Sequence, residues 1–138
     1  MHLVVATWNV NSVRLRLSLI ERFVALHAPD VLCLQETKCS DDSFPHSDFV
    51  RLGFEHIALN GQKGWHGVAV ASRQPFAEVS RAYFCGRDDS RHLAVTLGSD
   101  AGLAKPLTIH NFYIPPAATS PIPRSTTSSP TSSLSSTR

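Results

Sequence analysis

Three apolar runs in this chain each break off at a polar residue that can hold a cation or a phosphate. The residues are Asn9, Glu36 and Tyr113, in T-W-N-V-N-S, P-D-V-L-C-L-Q-E-T-K and H-N-F-Y-I-P. A buried strand that stops on such a residue delivers it to the rim of a sheet. Three such endings predict packed sheets with a metal-dependent site along one rim. They also place the chemistry at strand ends rather than inside a helix bundle.

The rest of the pattern supports packed sheets. Leu3 to Val10 is valine-rich and free of breakers, which predicts a strand. Ser12 is positioned to cap a following helix. Leu17, Ile20 and Val24 fall at i, i+3 and i+7, with Leu19, Phe23 and Leu26 beside them, a stripe wide enough to bury against a sheet. Ala28-Pro29-Asp30 ends that helix, because the residue before a proline avoids the helical region. Val31 to Leu34 reads as a second strand, and strand–helix–strand implies a parallel pair. A loop over Cys39 to Pro45 and a helical turn near Phe49 to Leu52 follow. Strands are then predicted at Phe54–Leu59, Val68–Ala71, Val79–Phe84 (an edge), Leu93–Leu97 and Leu107–Phe112. One helical layer followed by a meander of short strands predicts an α/β arrangement of packed sheets, not a single doubly wound sheet.

Composition narrows the class. With 42 % apolar residues the chain can form a globular core. A net charge of +2 is lower than a dedicated non-specific nucleic-acid binder carries. Cys33, Cys39 and Cys85 are odd in number and lack metal-type spacing, which favours a reducing compartment and a cytoplasmic location. No signal-like segment or membrane-length run occurs, so no membrane partner is expected. A monomer is the expected state.

Beyond Pro115 the character changes, and Ser, Thr and Pro make up 17 of the last 23 residues. Such a segment buries too little to offset its chain entropy, so 116–138 is expected to be a disordered tail after a domain over 1–115. A linker is one explanation. A reading-frame shift is the one expected here. Read one base earlier, the codons of P-P-A-A-T-S-P-I-P-R permit A-G-G-D-I-P-D-P-E, an ordinary folded sequence.

The chemistry of the three endings can be argued residue by residue. A carboxylate such as Glu36 at the end of a buried strand is costly unless a cation or hydrogen bonds offset it. Mg²⁺ takes oxygen ligands and keeps several waters, so one or two carboxylates suffice. The alternative is a rim glutamate paired with Lys38. The Asn9 amide oxygen can ligate the ion or orient its water, while Asn11 suits a turn and cap or a substrate contact. Tyr113 can bond a phosphate oxygen, or carry a proton if its pKa is lowered; a strand-end tyrosine is otherwise an amphipathic core edge. Gly64-Trp65-His66-Gly67 is a glycine-flanked aromatic turn, able to lie along a substrate strand or simply to close a hairpin. The seven histidines show no ligand spacing, and His66 is the one of interest.

T-W-N-V-N-S-V, P-D-V-L-C-L-Q-E-T-K, G-W-H-G-V-A-V and N-F-Y-I-P, in this order, resemble the exodeoxyribonuclease III family of DNA-repair nucleases, within the endonuclease/exonuclease/phosphatase superfamily. The resemblance covers about the first 115 residues. It implies the N-terminal half of a four-layered α/β sandwich, with two facing sheets and helices outside. It implies Glu36 as a Mg²⁺ ligand (Mn²⁺ as a substitute), Asn9 as its helper, and Tyr113 as an active-site residue. Asn11 and Lys38 are the candidates for contacting substrate. The implied substrate is double-stranded DNA with abasic sites or 3′ ends. The family's later Asp-x-Asn and Asp-His pairs have no counterpart, since no acid follows Asp100. The resemblance therefore implies an inactive fragment of a DNA phosphodiester hydrolase. Its rivals are a lipid-head-group phosphodiesterase of the same superfamily and a non-catalytic binding fragment.

Overall fold

A computed structural model describes residues 2–82 and 90–115. The chain runs β1 (Val5–Asn9), α1 (Leu17–His27), β2 (Val31–Gln35), α2 (His46–Arg51), β3 (His56–Asn60), β4 (Val68–Ser72), β5 (Glu78–Ser80), β6 (His92–Leu97) and β7 (Leu107–Phe112). Single 3₁₀ turns sit at Asp41–Ser43 and Ser99–Ala101. Four strands form a sheet in the order β1-β2-β4-β3, and three form a second sheet in the order β5-β6-β7. Among the described residues only β1 and β2 pair in parallel, in the register Val5↔Val31 to Asn9↔Gln35. This is the arrangement that α1 between them requires.

The strand pattern explains the layers. β2 and β4 carry apolar residues on both faces and are buried throughout, apart from Gln35. Leu32, Leu34, Ala69 and Ala71 face the helices. They pack with Ile20 and Val24 of α1 and with Phe44, Phe49 and Phe54. Val31, Cys33, Val68 and Val70 face the other way and form the inter-sheet core with Leu93, Val95 and Leu97. Helix layer, sheet and second sheet are thus three of the four expected layers; α1 packs on the first sheet alone among the described residues.

Some local expectations need correction. Ser12 is not the helix cap. It sits in left-handed backbone at φ 87°, and Arg16 precedes the first turn without a side-chain cap. The left-handed turn at Asn11–Ser12 redirects the chain to the rim first, so the helix starts later. Leu26 and Leu19 are exposed rather than part of the buried stripe. The helix ends where expected, at Ala28, whose left-handed backbone returns its N–H to the Val24 carbonyl at 2.9 Å. The edge strand is shorter than predicted: it runs Glu78–Ser80, and Arg81 and Ala82 already lie outside it, while Tyr83, Phe84 and Cys85 lie outside the described residues, as does the segment 116–138. Among the described residues no helix is long and apolar enough to cross a membrane.

The two sheets are offset. β7 lies over β2 and β4, and β6 over β3 and β4. The inner face of β1 (Val5, Thr7, Asn9) therefore projects past β7. Val5 and Thr7 share a cavity of about 400 Å³ with Cys33, Gln35, Ile109 and Asn111. The outer edges of β1 and β7 have no neighbouring strand among the described residues.

Candidate active site

The parallel register sets Asn9 beside Gln35, one residue before Glu36. The pairing continues beyond the strands. Val10 N–H donates to Gln35 O (3.0 Å), Ser12 N–H to Glu36 O (2.8 Å) and Val13 N–H to Thr37 O (3.1 Å). The Asn9–Asn11 loop is thus bound along the segment that carries Glu36. Across the inter-sheet gap, β7 delivers Tyr113 to the same rim, fixed by its N–H to Arg91 O at 2.8 Å. The turn at 64–67 closes the third side. Gly67 O accepts from Thr37 N–H (3.1 Å) and His66 O from Lys38 N–H (2.9 Å). Gly67 is required there: its φ is 88°, and a Cβ would collide with Thr37 Oγ1.

The backbone at this rim is strained. Asn11, Ser12, Glu36, Lys38, His66 and Ser90 all adopt positive φ; elsewhere among the described non-glycine residues only Ala28 does. Left-handed backbone costs a non-glycine residue about 1–2 kcal/mol. Such strain persists where surrounding contacts hold it, and it clusters at working sites. Glu36 at φ 54° and Lys38 at φ 53° are the costlier cases, because neither has the short amide that eases an asparagine into this region.

The side chains meet as follows. The Tyr113 phenol lies beside the Glu36 carboxylate, and that neighbouring carboxylate, then burial, raises the phenol above its ordinary value. The neutral phenol is therefore the working form at neutral pH, a hydrogen-bond donor. The His66 ring lies 5.5 Å from the Tyr113 ring. Asn9 Oδ1 accepts from the Asn11 N–H at 3.2 Å, closing a local turn and leaving a lone pair on that oxygen. Lys38 Nζ donates to Asn11 Oδ1 at 2.5 Å, so Lys38 turns to Asn11 rather than pairing with Glu36. Beside them, Arg14, Lys38 and Lys63 line a cavity of about 520 Å³ with Ser40, Asp42 and Ser43. Three cations against one carboxylate make it suited to an anion.

The donors at the rim are one carboxylate and amide oxygens, all hard. Among the described residues no three His, Cys, Asp or Glu side chains converge. That set fits a cation which keeps most of its water, as Mg²⁺ does, and does not fit zinc. Cys33 and Cys39 take no part. Burial pushes the Cys33 thiol up to about 11 and also raises Cys39, and neither is a thiolate near neutrality.

Sequence reasoning passed over two groups. Gln35 and Asn111 form a buried polar link between the sheets, although each lies inside a motif quoted for its neighbour. Alternation alone places Asn111 on the face of Tyr113, a signal that an amide is buried there. His92 and His110, remote in sequence, stand 3.1 Å apart across β6 and β7, where strand pairing rather than local spacing unites them.

Comparison with known proteins fits this architecture. The chain is 33 % identical over 111 residues to exodeoxyribonuclease III of Haemophilus influenzae, a match covering 79 % of this chain and 40 % of that protein. An AP endonuclease structure from Archaeoglobus fulgidus superposes with a TM-score of 0.71 at 35 % identity, covering 83 % of this chain and 42 % of its own. A 3′ phosphatase from Neisseria, bound to product DNA hairpin, gives 0.70 at 31 % identity, with 81 % and 41 % covered. The chain thus spans about two fifths of the length of these relatives. With residues 6–134 matched by the family model, the chain belongs to the Endonuclease/Exonuclease/phosphatase family.

Proposed function

We propose that this chain supplies one wall of a DNA phosphodiesterase site, in a protein that acts on duplexes with abasic sites or free 3′ ends. The carrying observation is the convergence of Asn9, Glu36 and Tyr113 at the one rim where β1, β2 and β7 end, with the 64–67 turn bound to the Thr37–Lys38 segment and its His66 ring against Tyr113. Glu36 presents the negative charge for a divalent cation, and Asn9 offers an amide oxygen beside it. A bound Mg²⁺ or Mn²⁺ would neutralise charge that develops on the phosphate. The neutral Tyr113 hydroxyl orients the Glu36 carboxylate and offers its ring edge to the phosphate side. Lys38, Arg14 and Lys63 position backbone phosphates without reading sequence. The strained, clamped loops keep these groups preorganised, which is where electrostatic catalysis gains most.

The 138-residue chain alone is expected to bind DNA without cutting it. In-line displacement needs groups on both sides of the phosphate, and after Asp100 the sequence has no acid to supply the second side. Each missing group of this kind costs about 10²–10³ in rate. The test is an abasic-site duplex with Mg²⁺, beside full-length Haemophilus influenzae exodeoxyribonuclease III as control. Nicking by the chain within about tenfold of the control would overturn the single-wall reading. Binding measured by anisotropy should weaken with salt, with a log–log slope of about −2 to −3 for three phosphate contacts. No binding at low salt, or hydrolysis of a lipid head group instead, would overturn the DNA assignment.

A further inference from the structure

We infer that Asn111 is the positioning residue of this site: it fixes the register between the two sheets so that Tyr113 meets Glu36. The consequence for catalysis rests on the function proposed above; the geometry does not. Asn111 is 2 % exposed and lies on the inner face of β7, where its neighbours are apolar. Its amide nitrogen donates to Leu34 O at 3.0 Å and to Ala69 O at 2.9 Å, on two adjacent strands of the other sheet. Its oxygen accepts from Gln35 Nε2 at 2.7 Å, and the same Gln35 nitrogen donates to Thr7 Oγ1 at 2.9 Å. One side chain thus ties β7 to β2 and β4 directly, and to β1 through Gln35.

A leucine would fill this place with less desolvation, so packing alone does not explain an amide. What the amide adds is direction. Apolar contacts between sheets tolerate sliding, whereas three hydrogen bonds from a buried group are satisfied in one placement only. A slip of β7 by one residue would turn its inner face outward and leave the amide unpaired. The next inward residue after Asn111 is Tyr113, and the next residue after Gln35 is Glu36. The Asn111–Gln35 bond and the Tyr113–Glu36 contact are therefore neighbouring rungs, and the buried rung sets the exposed one. The same link reaches β1 two residues before Asn9, so all three strand endings are referred to one side chain.

The experiment is NMR on the isotopically labelled 138-residue chain without metal. The expected result is an NOE between the Tyr113 ring and the Glu36 Hγ protons, with slowly exchanging Asn111 side-chain amide protons. Asn111→Leu should abolish that NOE while the Phe49–Phe54 NOEs in the helix-side core persist. Leu97→Ala, a cavity in the same inter-sheet core away from the link, should lose stability yet keep the NOE. Should Asn111→Leu not fold, Gln35→Met decides: a weakened NOE supports the inference and an unchanged one overturns it. An NOE absent from the parent chain, retained in folded Asn111→Leu, or lost equally in Leu97→Ala would also overturn it. Because no metal or DNA is present, failure of the proposed function leaves this readout intact. If that function holds as well, Mn²⁺ affinity in Asn111→Leu should fall at least about tenfold, as for other supports of metal ligands.

Discussion

Glu36 holds a left-handed backbone conformation that glycine or asparagine would occupy at less cost, and it is partly buried at the end of the most buried strand pair. What a residue at such a cost adds to this position is its carboxylate. Two outcomes follow at this scale. Glu36→Ala should reduce Mn²⁺ affinity by about tenfold or more, read from paramagnetic broadening, whereas Asn11→Ala should change it by less than about threefold. Equal losses would overturn Glu36 as the main ligand. Glu36→Asn should melt no lower than the parent, because asparagine tolerates positive φ and no carboxylate is left to desolvate. A clear fall in Tm would show that the strain at this position is negligible. Gly67 is the opposite case, a left-handed position where any Cβ meets the Thr37 side chain. Gly67→Ala should cost roughly 1–3 kcal/mol in chemical denaturation and detach the 64–67 turn.

The paired strands β6 and β7 carry a feature that only pairing creates. His92 Nδ1 accepts from the Ala82 N–H at 2.8 Å, so its Nε2 carries the proton and donates to His110 Nδ1. This network requires a neutral His92. Burial, and then the facing His110, hold its pKa below the ordinary imidazole value. The unfolded chain takes up the proton near pH 6.5, the folded chain only at lower pH. The stabilisation is therefore complete above about pH 6.5 and is lost as pH falls toward the folded value, with a slope of up to about 1.4 kcal/mol per pH unit. Tm should drop on acidification from neutral pH, and His92→Gln should flatten that drop. An unchanged profile in the variant would assign the pH dependence to other groups.

For the molecule as a whole, the offset between the sheets matters most. β1 extends past β7, its inner face carries Val5 at 44 % exposure, and the outer strands of both sheets border the same cavity. Free edges beside exposed apolar residues favour edge-to-edge pairing. The chain should self-associate as its concentration rises in sedimentation velocity, and Val5→Lys should suppress this by placing a charge on that face. A parent chain that stays monomeric at every concentration would show that this flank is protected.

Local pattern determined what local physics controls. The alternating and continuous apolar runs identified each strand, and the bounds of β7 were legible to the residue between Pro106 and the Tyr113-Ile114-Pro115 ending. The helix stripe identified Ile20 and Val24 as buried, and the strand endings identified Asn9, Glu36 and Tyr113 as rim residues. A period of two or of 3.6 says which face is buried but not what it is buried against. Asn111 meets Gln35 from 76 residues away and Leu34 from 77. His92 meets His110 only because β6 pairs with β7. The positive φ values at Glu36 and Lys38 run against residue preference, so no propensity could announce them. Tertiary structure decided these points because long-range hydrogen bonds and sheet stacking hold conformations that the local chain would not choose.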